Sequence, residues 1–360
     1  MDPQPAGGMP GAGGTPPAAY LRDDTLLRVR DLRAAFLRGG RTLEAVAGVS
    51  FDVAQGETLG LVGESGCGKT TTGRAILRLL PHESSSMSGS IVFDGTELGP
   101  LSNAAMRPIR RRLQMIFQDP LSSFNPRRKA WDIVGEGLVI QGVNKKKVAQ
   151  RVDAALVDVG MSRSMVEGRR PHQFSGGQCQ RLAIARALAL APDLIVCDEP
   201  VASLDVSVQA TVINLLQDIR ERKHLALIFI SHDLAVVRNV SDRVAVMYMG
   251  KIVEIGDADR VYARPAHPYT RTLLEAVPIP DASVKLKPDK VGSEMPSPSS
   301  PPSGCRFRTR CPRAEEVCSE VEPPLCPMPQ GQHAACHFPH DEPAPGRLGS
   351  ATAEPSRPAS

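Results

Sequence analysis

Gly63, Glu64, Ser65, Gly66, Cys67, Gly68, Lys69 and Thr70 run consecutively and fit the pattern GxxxxGK(S/T). The stretch ETLGLV before them reads as a buried strand, and Thr71 to Leu80 after them reads as a helix, which is the setting the pattern requires. Glycines at these spacings let successive N–H groups and a helix N-terminus point at phosphate oxygens. Lys69 adds a positive charge, the Thr70 hydroxyl suits Mg²⁺, and Thr71 completes the set. A nucleotide is the natural ligand. Cys67 fills a free position of the pattern, where a thiol at a helix N-terminus can be acidified and oxidised but is more simply filler.

Further along, LIVCDE places Asp198 at the C-terminal end of an apolar strand, positioned to hold Mg²⁺ opposite Thr70. Glu199 follows, able to orient or deprotonate an attacking water. Ser175, Gly176, Gly177 and Gln178 open a helical stretch, a second N-terminus suited to an anion. In this order, over residues 24 to 260, the segments resemble ABC-type ATPase domains. The resemblance implies MgATP hydrolysis and identifies Gln118, at the end of LQMIFQ, as the Q-loop glutamine that touches Mg²⁺ or water. It makes Ser175 to Gln178 the signature loop that contacts the γ-phosphate of a neighbouring subunit's ATP. Ser203-Leu204-Asp205 becomes the D-loop, and His232 the switch histidine that senses the γ-phosphate. Phe36 matches the adenine-stacking aromatic, a plain core Phe being the alternative. On this resemblance one chain supplies two half-sites and must dimerise to close either.

The elements that would position these residues follow from the hydrophobic pattern. β-Branched runs at Thr58–Val62, Leu113–Phe117, Leu194–Cys197, Leu225–Ile230 and Arg243–Tyr248, four of them nearly continuous in apolar residues, predict strands covered on both faces of a largely parallel α/β sheet, with helices between them. LLRVRDLRA, GVSFDVAQG and SIVFDG alternate instead, predicting a half-exposed antiparallel sheet. Together with the resemblance, this pattern implies a P-loop ABC ATPase domain over residues 24–258. It has a mostly parallel core sheet, an antiparallel β subdomain and a helical subdomain at about 119–174.

With 360 residues, 41% hydrophobic and 23% charged, the chain has ample material for a core. A net charge of +4 falls short of a dedicated nucleic-acid binder. No run reaches the length of a spanning helix, the best one, Leu188–Cys197, being broken by Pro192 and Asp193. The Pro/Gly/Ala-rich start has no secretory-signal pattern, so residues 1–22, like 341–360, are expected to be disordered and the protein cytosolic. A Pro/Ser-rich stretch between Asp281 and Ser303 reads as a linker separating the Cys-rich segment.

Beyond Arg260, VYARPAHPYTRTLLEAVPIPD resembles the C-terminal extension of ATPases from the oligopeptide/dipeptide (peptide/nickel) importers, here at residues 259–340. FQDPLSSFNPR and FSGGQCQRLAIARAL fit the second ATPase subunit of that family. The resemblance implies a second ABC ATPase subunit, usually a non-identical relative, two multi-span permease subunits and an extracytoplasmic peptide-binding protein. It implies peripheral attachment at the cytoplasmic face of the inner membrane, with membrane contact only through the permeases and no nucleic acid. The coupling helices would dock near the Q-loop and the segment from Asp119 to Gly142, which carries Trp131. His267 and Tyr269 could serve only to fix how the extension folds back. Whether the cargo is a dipeptide, an oligopeptide, nickel or another solute stays open. The alternative is a non-transport ABC ATPase acting on ribosome or DNA, but such proteins carry two ATPase domains or a long coiled-coil insertion.

Five of the eight cysteines crowd between Cys305 and Cys336. Four thiolates suffice for Zn²⁺ or an iron–sulfur cluster, and the spacings lack the paired CxxC of zinc ribbons. The resemblance favours [4Fe-4S] on Cys305, Cys311, Cys318 and Cys336, leaving Cys326 over.

Overall fold

The computed structural model describes residues 20–38, 41–81, 83–276 and 296–343. Its strands in chain order are β1 (Leu27–Arg38), β2 (Arg41–Val53), β3 (Thr58–Val62), β4 (Ser85–Phe93), β5 (Thr96–Glu97) and β6 (Leu113–Ile116). They continue with β7 (Leu194–Asp198), β8 (Ala226–Ile230), β9 (Arg243–Tyr248), β10 (Lys251–Asp257), β11 (Cys326–Pro327) and β12 (His333–Ala334). The helices are α1 (Lys69–Ile76), α2 (Asn103–Arg112), α3 (Ala130–Ile140), α4 (Lys145–Asp158), α5 (Arg163–Val166) and α6 (Gly176–Leu188). They end with α7 (Val206–Lys223), α8 (Leu234–Val240), α9 (Ala258–Ala263), α10 (Pro268–Glu275) and α11 (Val317–Glu320).

The five predicted strands become the parallel part of one sheet, in the order β9-β3-β8-β7-β6. Every residue of β3, β7 and β8 is buried, because helices cover both faces, and this removes the need for a polar side. The alternating segments form a separate antiparallel sheet, β2-β1-β4-β5. Its inner face, with Leu27, Val29, Leu32, Phe51, Ile91 and Phe93, packs with Ala75 and Ile76 of α1 into one core. A second core joins the helical subdomain to the sheet through Ile133, Leu138, Val152, Leu156, Leu182 and Ile195. The predicted α/β architecture with an antiparallel β subdomain is therefore the observed one.

Three expectations need correction. The helix after the phosphate loop begins at Lys69 rather than Thr71 and ends at Ile76 rather than Leu80, because Arg78 turns into the left-handed region with φ of 53°. Tyr20 and Arg22, assigned to a disordered start, are packed. The Tyr20 hydroxyl donates to the Ser50 carbonyl at 3.0 Å, and Arg22 pairs with buried Asp52 at 2.6 Å and with Glu57. Residues 1–19, the stretch 277–295 and the tail from 344 lie outside the described residues.

The Cys-rich segment is not set apart by the Pro/Ser stretch. β12 adds antiparallel to β10 and so extends the core sheet, while Phe307, Cys318 and Ala334 are buried. The few apolar residues of this segment are too dispersed to form a core alone, but they suffice to dock it on one that exists.

Candidate active site

The C-terminal ends of the parallel strands converge, as ligand sites in open α/β sheets do. The loop after β3 is built on left-handed glycines, with φ of 147° at Gly63, 81° at Gly66 and 109° at Gly68. A Cβ at Gly63 would stand 2.1 Å from the Met247 carbonyl oxygen and one at Gly68 2.3 Å from that of Ala45, so both positions also need glycine for space. Gly68 caps α1 with no side-chain hydrogen bond, which leaves the helix's first N–H groups available to an anion. Lys69 is buried beneath the loop and donates to the Gly63 carbonyl at 2.8 Å and the Glu64 carbonyl at 3.0 Å. Over it lies a cleft of about 190 Å³ lined by Ala45, Ser65, Gly66, Thr70, Gln118 and Glu199 among others. Cys67 is buried, and burial raises its pKa despite the neighbouring Lys69 ammonium. The acidified thiol that its place before a helix suggested is not found.

Thr70 Oγ1 donates to Asp198 Oδ1 at 2.8 Å, so the hydroxyl and carboxylate paired for Mg²⁺ from sequence are in contact. Burial raises the Asp198 pKa, and repulsion from Glu199 adds to this against the opposing pulls of Thr70, Arg74 and Lys69. Such a carboxylate gains most from a divalent cation. Glu199 has φ of 46°, a left-handed backbone that a non-glycine residue adopts at a cost, and its N–H is tied to the Ile230 carbonyl at 3.0 Å. The carboxylate is thereby swung into the cleft, where Oε2 accepts from Gln118 Nε2 at 3.0 Å and faces His232 Nδ1 at 3.4 Å. Residues that follow β6, β7 and β8, the first 81 positions before the second in the chain, thus meet at one carboxylate.

The other expected site residues lie elsewhere. Ser175 caps α6 in a reciprocal box, its Oγ accepting from the Gln178 N–H at 3.3 Å while Gln178 Oε1 accepts from the Ser175 N–H at 3.0 Å. Gly177 lies against α7, since a Cβ there would meet Val208 Cγ1 at 2.6 Å. Asp205 caps α7, and hydrogen bonds from Ser207 and the Val208 N–H hold its pKa down. None of these lines the cleft over Lys69. Phe36 is half-buried in β1, packed against the antiparallel-sheet core.

Sequence reasoning missed two contacts at the phosphate loop. The Glu64 N–H donates to the Tyr269 hydroxyl at 2.9 Å, and Arg310 makes a bidentate pair with the Glu64 carboxylate. Tyr269 was noted only for how the extension folds back and Arg310 carries no local motif, so contact in space alone reveals their bonds to Glu64. Nearby, Cys305, Cys311, Cys318 and Cys336 lie within electrostatic reach of one another: burial raises the pKa of Cys305, Cys311 and Cys336, and their neighbours in this set raise it further. Cys326 is exposed in β11. Among the described residues no three His, Cys, Asp or Glu side chains draw close enough for a metal-ion site.

Residues 46–202 match the ABC transporter family, and residues 253–318 match the C-terminal region of oligopeptide/dipeptide transporters. A putative peptide import ATP-binding protein of Brucella ovis is 48% identical over 317 residues, covering 88% of this chain and 98% of that one. The oligopeptide transport ATP-binding protein OppF of Escherichia coli is 48% identical over 301 residues, covering 82% and 89%. Among solved structures, cbiO1 of Clostridium perfringens, part of an ABC transporter complex, superposes with a TM-score of 0.58 at 27% identity, over 67% of this chain and 91% of that one. A dimeric bacterial ABC transporter cassette, MJ0796, superposes with a TM-score of 0.58 over 64% and 98%, at 24% identity that speaks for the fold alone.

Proposed function

This chain belongs to the ABC transporter family of ATPases, and we propose that it is the ATP-hydrolysing subunit of an oligopeptide importer. The observation that carries the chemistry is the meeting of Gln118, Glu199 and His232 beside the phosphate loop and the Thr70–Asp198 pair. ATP phosphates would sit on N–H groups of residues 65–70 and the N-terminus of α1, with Lys69 exchanging carbonyl partners for phosphate oxygens. Thr70 and Asp198, with Gln118 close by, would hold Mg²⁺, which would supply charge neutralisation on the phosphates. Glu199 orients the attacking water and takes its proton, Gln118 and His232 fixing the direction of its carboxylate. His232 then reads the γ-phosphate.

Because Ser175 to Gln178 and Asp205 do not reach this chain's own cleft, they serve the nucleotide of a second ATPase subunit, whose own signature loop completes this site. That partner is a non-identical relative. Two permease subunits complete the transporter, a coupling helix docking at the cleft of about 730 Å³ that runs from Gln114, Phe117 and Gln118 to Glu136, Gly137 and Ile140, and an extracytoplasmic binding protein delivers the peptide. No described helix is long and apolar enough to cross a membrane, in keeping with peripheral attachment at the cytoplasmic face. Cys305, Cys311, Cys318 and Cys336 would hold a [4Fe-4S] cluster, their mutual electrostatic reach and the exposure of Cys326 favouring that set.

The test is co-purification with the permeases and measurement of ATP hydrolysis. Hydrolysis stimulated by peptide-loaded binding protein, and lost in Lys69→Ala, is expected. A chain that purifies with ribosomes or DNA, or whose hydrolysis ignores peptide, overturns the reading.

A further inference from the structure

Glu64, the first variable residue of the phosphate loop, is gripped at two points by the C-terminal extension. Its N–H donates to the Tyr269 hydroxyl at 2.9 Å, and its carboxylate receives Arg310 in two parallel bonds, Nη1 to Oε2 at 2.9 Å and Nη2 to Oε1 at 3.0 Å. The contacts are sheltered, with Tyr269 fully buried and the Arg310 side chain 9% exposed. A bidentate fork fixes orientation as well as distance, which a single ammonium cannot. The same Glu64 supplies, through its carbonyl, one of the two oxygens that hold Lys69.

The residues that grip are themselves held. Glu254, buried in β10, accepts the Ala266 N–H at 2.8 Å and the His267 N–H at 2.9 Å. His267 Nδ1 caps α10 by accepting the Tyr269 N–H at 3.0 Å. The Tyr269 ring packs on Tyr248 at 4.6 Å and on Phe307 at 5.3 Å, and Arg310 faces the Tyr248 and Phe307 rings at 5.8 and 5.9 Å. Arg310 itself rides on a turn whose N–H bonds the Phe307 carbonyl at 2.9 Å. Contacts of this kind run unbroken from the core sheet to the phosphate loop.

We propose that Tyr269 and Arg310 are positioning residues for nucleotide binding, holding Glu64 so that residues 63–70 are ordered before ATP arrives. The inference rests on the reading of that loop as the ATP site. A loop ordered in advance loses less freedom on binding, so releasing it weakens affinity and leaves the chemical step alone.

The experiment uses the full chain, with MgATP affinity read by a fluorescent ATP analogue, and the assembled transporter, with KM and kcat read separately. Failure of wild type to bind MgATP would sink the ATP-site reading before this inference is reached. Given binding, Arg310→Met is expected to raise the Kd and KM for ATP about ten-fold and Tyr269→Phe about three-fold, with kcat changed less than about two-fold. Glu64→Gln should also weaken binding, and combining it with Arg310→Met should cost no more than Arg310→Met alone. Arg310→Lys should restore only part. Tighter ATP binding by Glu64→Gln would show that Arg310 acts merely through its charge, and additive losses would show that the pair does not work as a unit. Either result overturns the inference. Should Arg310→Met not fold, Tyr269→Phe, which removes one oxygen, decides alone: unchanged Kd overturns, weaker Kd supports.

Discussion

Replacing His267 by Asn should make the chain's stability respond differently to acid. The imidazole is buried, and desolvation, with a further push from His340, takes its pKa down to about 3. It stays neutral, with Nδ1 accepting the Tyr269 N–H and the other nitrogen bonding the Ala335 backbone. In the unfolded chain the ring titrates near 6.5, so below that pH the unfolded state takes up a proton that the folded state refuses. Stability therefore falls as pH drops from 6.5 towards 3. Between pH 7.5 and pH 5 the loss is about 1.5 units at about 1.36 kcal/mol each, or about 2 kcal/mol. Glu254, whose N–H partner is His267 itself, opposes this. Burial lifts its pKa to about 7, so its contribution is whole below about 4.5 and is lost as pH rises through 7. The two slopes offset one another between about pH 4.5 and 6.5, which hides His267 in the wild-type profile. Asn keeps an acceptor at the helix cap and removes one slope. In urea denaturation the variant should be less stable than wild type at pH 7.5, and the deficit should shrink by about 2 kcal/mol at pH 5. A deficit independent of pH would refute the buried neutral imidazole.

Three further outcomes follow from the site. Glu199→Gln should lower hydrolysis by about 10² or more while retaining MgATP, and should trap a closed ATP-bound dimer visible by gel filtration; retained turnover would remove Glu199 as the base. Gly177→Ala should leave ATP binding at this chain's own loop intact but depress hydrolysis in the assembled pair, because the added Cβ would meet Val208 Cγ1 at 2.6 Å and displace the N-terminus of α6. Anaerobic purification should give a brown protein that bleaches in Cys318→Ser and stays brown in Cys326→Ser; a colourless protein with one bound zinc would reverse the assignment.

Wherever the chemistry is local to a few consecutive residues, it was legible in the chain. The phosphate loop, the aspartate and glutamate after LIVC, and the serine and glycines at the start of α6 carry their meaning in spacing, because a turn or a helix start is built from neighbours. The buried strands were equally legible, since a strand covered on both faces must be apolar throughout. The chain's own pattern could not show that the carboxylate of Glu199 is aimed by a left-handed backbone, because that strain is borne by the surrounding sheet and not by a residue type. Cys67 reads from the sequence as filler with an acidic thiol as the alternative, and it is burial, which only the folded chain shows, that settles the direction.

Sequence alone therefore determined the fold class and the nucleotide loop, which depend on contacts between near neighbours or on the period of apolar residues, and the order of its motifs carried the resemblance to the family. Tertiary structure alone decided that the C-terminal extension joins the core sheet through β12 and reaches back to the phosphate loop through Tyr269 and Arg310, 205 and 246 residues away from Glu64. An arginine or a tyrosine has no signature of its own. Its meaning is set by which carboxylate or N–H the folded chain brings within 3 Å of it.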